Sequence, residues 1–310
     1  MRSISVSSPG KVILAGEHAV VHGQLGIWVA VDKRLSITVQ SVDKGLKIAS
    51  NHDSTELAHY AIMKIGEIFG ENIDCLEINI DSTIPVGSGM GSSAALAVAL
   101  TGALTKYYKK PWNIDFINET ALTIERKQHG TPSGGDNKVV TLGGFLKFRR
   151  QQDGTAEFEK ITNYRKIENL IVIDSGKPKE TTKEMVEKVT ELYKSDQARF
   201  SSIFSRIGDI SQSFCDYIIK KNEVNVGELI GENHRLLCEL EVVSPKAQDI
   251  IKKIEQVGGH AKISGAGGFK EGSGVLLAFH KEPEKLQYLA ELEKWKIIPV
   301  TLGAEGVRED

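Results

Sequence analysis

The chain has 310 residues, which at roughly 150 per domain predicts about two domains and ample length to bury a core. Its 39 basic residues against 41 acidic ones leave a formal charge of −2, a balance that argues against a protein whose partner is nucleic-acid backbone. The three cysteines, Cys75, Cys215 and Cys238, are far apart and never in a CxxC pair, so neither a disulfide framework nor a thiolate zinc site is indicated, and a reducing, cytoplasmic setting fits.

Residues 1–10 lack a basic stretch followed by an apolar one, so no secretory signal is expected. The first segment dense in chemistry follows at once: Ser8-Pro9-Gly10-Lys11, an apolar run, then Gly16-Glu17-His18-Ala19-Val20-Val21-His22-Gly23. It packs a cation, an anion and imidazoles around one turn. On its own, Lys11 reads better as a solvated lysine at a strand edge than as a functional one. His18 and His22 lack the intervening Glu of an HExxH zinc motif and a third ligand, so core packing or substrate contact is the better reading.

Leu35, Ile37 and Val39 alternate with polar residues, as do Leu76, Ile78 and Ile80, and both runs predict half-buried strands. Between them Asp53 and Glu56 form a capping box, with Leu57, Ala61, Ile65 and Ile68 at helical spacing behind it.

The next segment, Pro85-Val86-Gly87-Ser88-Gly89-Met90-Gly91-Ser92-Ser93-Ala94-Ala95, follows a strand and opens a helix. Small residues let backbone approach an anion, N–H groups at a helix start carry partial positive charge, and a serine hydroxyl can reach a metal ion. The reading is a phosphate cradle; the alternative is a serine-capped glycine turn. No GKS or GKT ending follows, so this is not a Walker A loop, and the third glycine falls one residue early for the dinucleotide fingerprint. The apolar stretch over residues 94–104 is about half the length of a membrane span and reads as a buried core helix.

Ile114, Ile117, Ala121 and Ile124 predict another helix, which runs into a loop rich in glycine, proline and serine over residues 130–135. Glu125 sits near the end of that helix, where the dipole disfavours an anion, so it needs a cation: magnesium or Arg126. Asp136 follows the loop, either as a functional carboxylate or as a turn residue. Residues 149–166 are polar, and the domain boundary is placed there, dividing the chain into 1–165 and 166–310. Leu170 to Ile173 reads as a buried strand. Met185, Val189 and Leu192, then Ile203, Ile207, Ile210, Phe214 and Ile218, mark two helical faces. A fourth segment, Lys262-Ile263-Ser264-Gly265-Ala266-Gly267-Gly268, precedes a strand over residues 275–279; it can pack against a ligand or simply connect strands tightly.

These ordered segments closely resemble those of the GHMP kinases, and within them the mevalonate kinase family, across residues 8–279. The resemblance implies an α+β fold of two domains: an N-terminal nucleotide-binding domain and a helix-rich C-terminal domain of ferredoxin-like plait, with the active site between them. It implies ATP and Mg2+ as cofactors and transfer of the γ-phosphoryl group to the primary (C5) hydroxyl of mevalonate. By it Pro85, Gly87, Ser88, Gly89, Met90, Gly91, Ser92 and Ser93 would bind ATP, and Ser93 and Glu125 would hold magnesium. Asp136 would be the base, with Lys11 beside it. Glu17, His18, Lys11, Asp136, Gly265 and Ala266 would line the substrate. Candidates for the substrate carboxylate are Ser175, Lys177, Thr181 and Thr182, although Thr181 or Thr182 could equally cap a helix. Family members are often dimers, so a homodimer is an expected assembly. Phosphomevalonate kinase, another small-molecule kinase of the family, or a catalytically silent ligand sensor remain alternative readings. One departure is plain: Phe269-Lys270-Glu271 interrupts the third glycine string before Gly272-Ser273-Gly274, a loop about three residues longer than the family usually has.

Overall fold

The computed structural model describes residues 3–51, 55–129, 133–151 and 153–310. Its first sheet is built on two long antiparallel strands, β1 (Ser3–Ala15) and β2 (Gly26–Ser41). The register between them shifts between Pro9 and Gly10. Proline has no N–H for the ladder, so a bulge there is the natural accommodation, and it re-aims the chain just before Lys11. Two further strands, β3 (Lys47–Ser50) and β4 (Leu76–Ser82), pair in parallel, and β4 lies antiparallel to the second half of β2. The first half of β2 instead pairs with β5 (Phe145–Arg150), whose hairpin partner is β6 (Ala156–Ile161).

Four helices accompany this sheet: α1 (Thr55–Phe69), α2 (Ser92–Tyr107), α3 (Ile114–His129) and α4 (Gly135–Leu142). In α2 every residue from Ala94 to Thr105 is buried, so it is a central helix apolar on all sides. Small residues let it come close to the sheet: a Cβ on Gly102 would lie 2.9 Å from Val6. The buried hydroxyls of Thr101 and Thr105 each donate to the carbonyl one turn back at 2.7 Å, which removes the cost of their burial.

The second sheet has the order β10-β7-β9-β8, with β7 (Leu170–Asp174), β8 (His260–Ser264), β9 (Val275–Phe279) and β10 (Lys296–Ile298) all antiparallel to their neighbours. Its helices are α5 (Thr182–Ser195), α6 (Gln197–Ile218), α7 (Val226–Glu239), α8 (Pro245–Gln256) and α9 (Pro283–Glu293). Helices α5 to α8 open on side-chain caps, Thr181, Asp196, Asn225 and Ser244, each accepting a backbone N–H of the first turn. Two sheets, each with its own set of helices, form the two-part α+β architecture that the resemblance implies.

Several expectations change in detail. The polar stretch in which the domain boundary is placed contains β6, an edge strand exposed along most of its length. The fourth segment, read from its glycines, opens on a strand of its own, β8. Ile68, expected on the buried face of α1, is 40% exposed. The capping box at Asp53 falls outside the described residues. Beyond residue 300 the chain leaves the second sheet and returns to the first, where β11 (Arg308–Glu309) pairs with β1. Arg34 holds this tail through the carbonyls of Glu305 and Gly306, both at 2.8 Å.

Candidate active site

Lys11 sits in the middle of β1 with its side chain 4% exposed, so it is not the solvated edge lysine that its sequence context alone allows. Its backbone N–H donates to the carbonyl of Met90 at 3.0 Å, which ties the strand to the glycine loop. Its ammonium lies 3.2 Å from Oδ2 of Asp136, in the first turn of α4, whose side chain is 39% exposed. The other carboxylate oxygen, Oδ1, accepts the indole N–H of Trp28 at 3.1 Å. Trp28 is absent from the sequence-based candidates: within β2 it reads as one more apolar residue, and nothing in its neighbourhood signals an acceptor across the chain.

The loop between β4 and α2 takes a left-handed backbone at three alternate positions, Gly87, Gly89 and Gly91, with φ of 70°, 82° and 75°. Gly91 is also crowded: a Cβ there would lie 2.9 Å from the stem of Lys11. The first intrahelical bond of α2 runs from the N–H of Ala95 to the carbonyl of Gly91, so the amides of Ser92, Ser93 and Ala94 precede the ladder and are available to an anion. Of the other loop residues, Ser88 turns its hydroxyl to the carbonyl of Pro85 at 2.8 Å, and the Met90 side chain is buried in the core. These two brace the loop by their side chains.

Ser93 donates its hydroxyl to Glu125 Oε1 at 3.4 Å. Glu125 is 5% exposed, and burial, with the nearby Asp136 charge, pushes its carboxyl up to about 8 against the pull of Lys11 and Ser93. A buried carboxylate this costly to ionise, beside a hydroxyl at a helix start, is a hard-oxygen donor set that suits magnesium. Arg126, the alternative cation, is exposed on the helix surface.

Glu17 follows β1 and is buried, ion-paired with Lys262 of β8 and 3.5 Å from Asn233 Nδ2. Lys262 also donates to the carbonyls of Ile13 and Ile263 at 3.2 and 2.8 Å. His18, at φ 60°, reaches the same seam: its Nε2 lies 2.9 Å from the carbonyl oxygen of Ala266. A carbonyl only accepts, so the proton is on Nε2. Nδ1 is then a buried acceptor, with no partner among the described residues. Burial holds the His18 imidazole at about 4, so it is neutral near pH 7. A second stitch runs from the N–H of Ile13 to Ser264 Oγ at 2.7 Å, and a third from the N–H of Val275 to the carbonyl of Ser88 at 2.9 Å. Gly265, at φ 117°, lies against Gly89. The four sequence segments therefore meet at one place between the two sheets.

The carboxylate candidates behave differently. Ser175 accepts from the Ser273 N–H and donates to the Gly274 carbonyl, both inside the glycine strings, and Thr181 forms a capping box with Glu184. Lys177 lies with its stem over Gly87, on the nucleotide-loop side. The additional residues Phe269, Lys270 and Glu271 stand on the surface, where Glu271 pairs with Lys179 at 2.5 Å. Gly272 and Gly274 pack onto the backbones of Gly176 and Ser88, so the third glycine string still seats on the loops beneath it.

Residues 56–144 match the GHMP kinases N terminal domain and residues 216–287 the GHMP kinases C terminal. A mevalonate kinase of Archaeoglobus fulgidus is 34% identical over 93% of this chain and 96% of its own length. The chain belongs to the GHMP kinases, in the mevalonate kinase branch. Solved folds agree. The L. major mevalonate kinase, crystallised with R-mevalonate, superposes on this GHMP kinase with a TM-score of 0.85 over 97% of this chain and 96% of its own, at 24% identity. The Methanococcus jannaschii mevalonate kinase gives a TM-score of 0.80 over 97% and 98%, at 25% identity. No helix among the described residues is long and apolar enough to cross a membrane.

Proposed function

We propose that this kinase transfers the γ-phosphoryl group of ATP to the primary hydroxyl of mevalonate, giving 5-phosphomevalonate and ADP. The observation that carries the reading is the Lys11–Asp136 ion pair, 3.2 Å across, beside a loop of three left-handed glycines that opens a buried helix. Phosphoryl transfer asks for positioning and charge stabilisation more than for covalent chemistry, and these are the groups present. The amides at the start of α2 cradle the phosphate chain. Asp136 takes the proton of the attacking hydroxyl as its oxygen bonds to phosphorus and the bond to the ADP oxygen breaks. Lys11, too deeply buried to be dissipated by water, stabilises the charge that builds on the transferred oxygens. Ser93 and Glu125 would hold a magnesium ion, whose contribution is to neutralise charge on the nucleotide.

Mevalonate as acceptor rests on the named relatives, and the neutral His18 supports it: Nδ1 is poised to accept a hydrogen bond from a substrate hydroxyl. Gly265 and Ala266, the latter holding His18 through its carbonyl, would form the wall beside it. Glu17, whose carboxylate is spent on Lys262 and Asn233, positions this wall rather than binding the substrate.

The test is ADP release from MgATP with mevalonate, phosphomevalonate, galactose or homoserine, with Asp136→Asn as control. Mevalonate-dependent release that the variant loses supports both substrate and base. Release with phosphomevalonate alone would reassign the acceptor, and ATP binding without turnover on any acceptor would make the protein a sensor.

A further inference from the structure

Trp28 is 3% exposed, and its indole N–H donates to Asp136 Oδ1. A buried indole N–H needs an acceptor, and this one finds it on the carboxylate that Lys11 holds by the opposite oxygen. The two restraints differ in kind. Lys11 presents a point charge whose ammonium can rotate its donors, so it attracts the carboxylate without fixing the plane of it. The indole is rigid, and its one N–H points a single way.

Its position is also built in. A Cβ on Gly26 would lie 2.2 Å from the ring, and one on Gly135, the residue before Asp136, would lie 3.4 Å from it. Phe148 meets the indole edge-on with centroids 5.0 Å apart and is itself stacked on Phe158 at 4.9 Å. The β5–β6 hairpin thus backs the indole from one side, while the first turn of α4 rests against it from the other. Any apolar residue could fill a space in this core. Only one with a ring N–H at that depth would also demand an acceptor there.

We infer that Trp28 is a positioning residue for phosphoryl transfer: its indole fixes the plane of the Asp136 carboxylate against Lys11, so that the oxygen receiving the acceptor's proton keeps one orientation through turnover. This rests on the reading of Asp136 as the base.

The test replaces Trp28 in a Trp112→Phe/Trp295→Phe background, where Trp28 is the only tryptophan left of the three in the chain. Trp28→Phe removes the N–H but shrinks the ring. Substitution by benzothienylalanine, which exchanges the ring N–H for sulfur and keeps the bicyclic shape, removes the donor alone. The expected result with the isostere is a fall in kcat of about ten- to hundred-fold, the usual cost of a mispositioned catalytic group, with KM for ATP and thermal midpoint unchanged. Trp28 emission should also shift when Asp136→Asn is introduced. Isostere turnover at the background rate beside an inactive Asp136→Asn overturns the role of Trp28 and leaves the base in place. Loss of kcat only in proportion to a lowered thermal midpoint and a raised KM would show a space-filling residue, and also overturns it. Turnover by Asp136→Asn near the background rate removes the base reading instead, and this proposal with it.

Discussion

Glu17 and Lys262 form an ion pair with side chains 1% and 0% exposed, joining the turn after the first strand to the strand that carries the third glycine string. Desolvating two charges is expensive, and the hydrogen bonds from Lys262 to the Ile13 and Ile263 carbonyls and from Asn233 to Glu17 are what make the pair tolerable. Removing one partner therefore costs more than removing both. Lys262→Met should destabilise the protein by about 3–5 kcal/mol in urea unfolding, because Glu17 is left buried and unpaired. The double variant Glu17→Gln/Lys262→Met should recover a large part of that loss. A double variant no more stable than Lys262→Met would mean the pair is not what couples the two segments.

The raised carboxyl of Glu125 gives a pH dependence with a definite sign. Its ordinary value of 4.5 applies to the unfolded chain and about 8 to the fold, so the native state binds the proton more tightly. The associated stability is complete below 4.5 and is lost as pH rises through 8. Without metal, Glu125→Gln should therefore be more stable than the parent at pH 9, by about 3–5 kcal/mol at most, and nearly equal to it at pH 4. A cation competes with the same proton. Magnesium-dependent nucleotide binding, followed by calorimetry, should strengthen from pH 6 to 8 by up to about ten-fold per unit and then level off. Glu125→Gln should flatten the profile; an unchanged profile would count against this carboxylate as a metal ligand.

Gly91 separates strain from contact. At φ 75° any side chain is strained by about 1–2 kcal/mol, and a Cβ would also press on the Lys11 stem at 2.9 Å. Gly45 has nearly the same φ, 76°, with nothing within 4 Å of a Cβ, so Gly45→Ala carries the strain alone. Gly45→Ala should lose about 1–2 kcal/mol of stability from the strain alone, and Gly91→Ala at least as much. Only Gly91→Ala should lose turnover, by about a hundred-fold or more, because it displaces Lys11 from Asp136. Equal activity in the two would show that the loop yields without moving Lys11.

What was legible in the sequence follows from how local each signal is. Strand alternation around Ile37 and Ile78, and the helical spacing from Ile114 to Ile124, depend on neighbours in the chain, and those elements stand where expected. The glycine loop from Gly87 to Gly91 was legible because a left-handed backbone leaves its mark in residue type. Contacts over long separations left no such mark. Trp28 reaches Asp136 across 108 positions and Lys262 reaches Glu17 across 245, and although the segments holding Glu17, Asp136 and Lys262 stand out in the sequence, nothing local says which residue each one meets. The resemblance to a family supplied the grouping of Lys11, Ser93, Glu125 and Asp136. It could not supply Trp28, which no motif includes. The β6 strand is obscured for a third reason: as an exposed edge strand it carries charge at half its positions, Glu157, Glu159 and Lys160, and its alternation ends after Phe158.

Acid should unfold the protein through its buried imidazoles. Burial holds both His18 and His234 at about 4 against an ordinary 6.5, and lowers His22 as well, while nearby Arg235 and Lys262 add to the shift of His234. Each is neutral in the fold, and the unfolded chain takes up a proton first as pH falls. The stability that His18 and His234 contribute is therefore fully present above 6.5 and is lost progressively towards 4, by up to about 3 kcal/mol for each of these two. Urea unfolding between pH 7 and 4 should show this slope. His234→Gln should reduce it while leaving turnover at pH 7 close to that of the parent, since among the described residues no hydrogen bond ties His234 to the Lys11–Asp136 pair. His18→Gln should reduce it by a similar amount but lose substrate affinity. If neither variant changes the slope, the acid sensitivity resides elsewhere, and His18 is not held neutral by its burial.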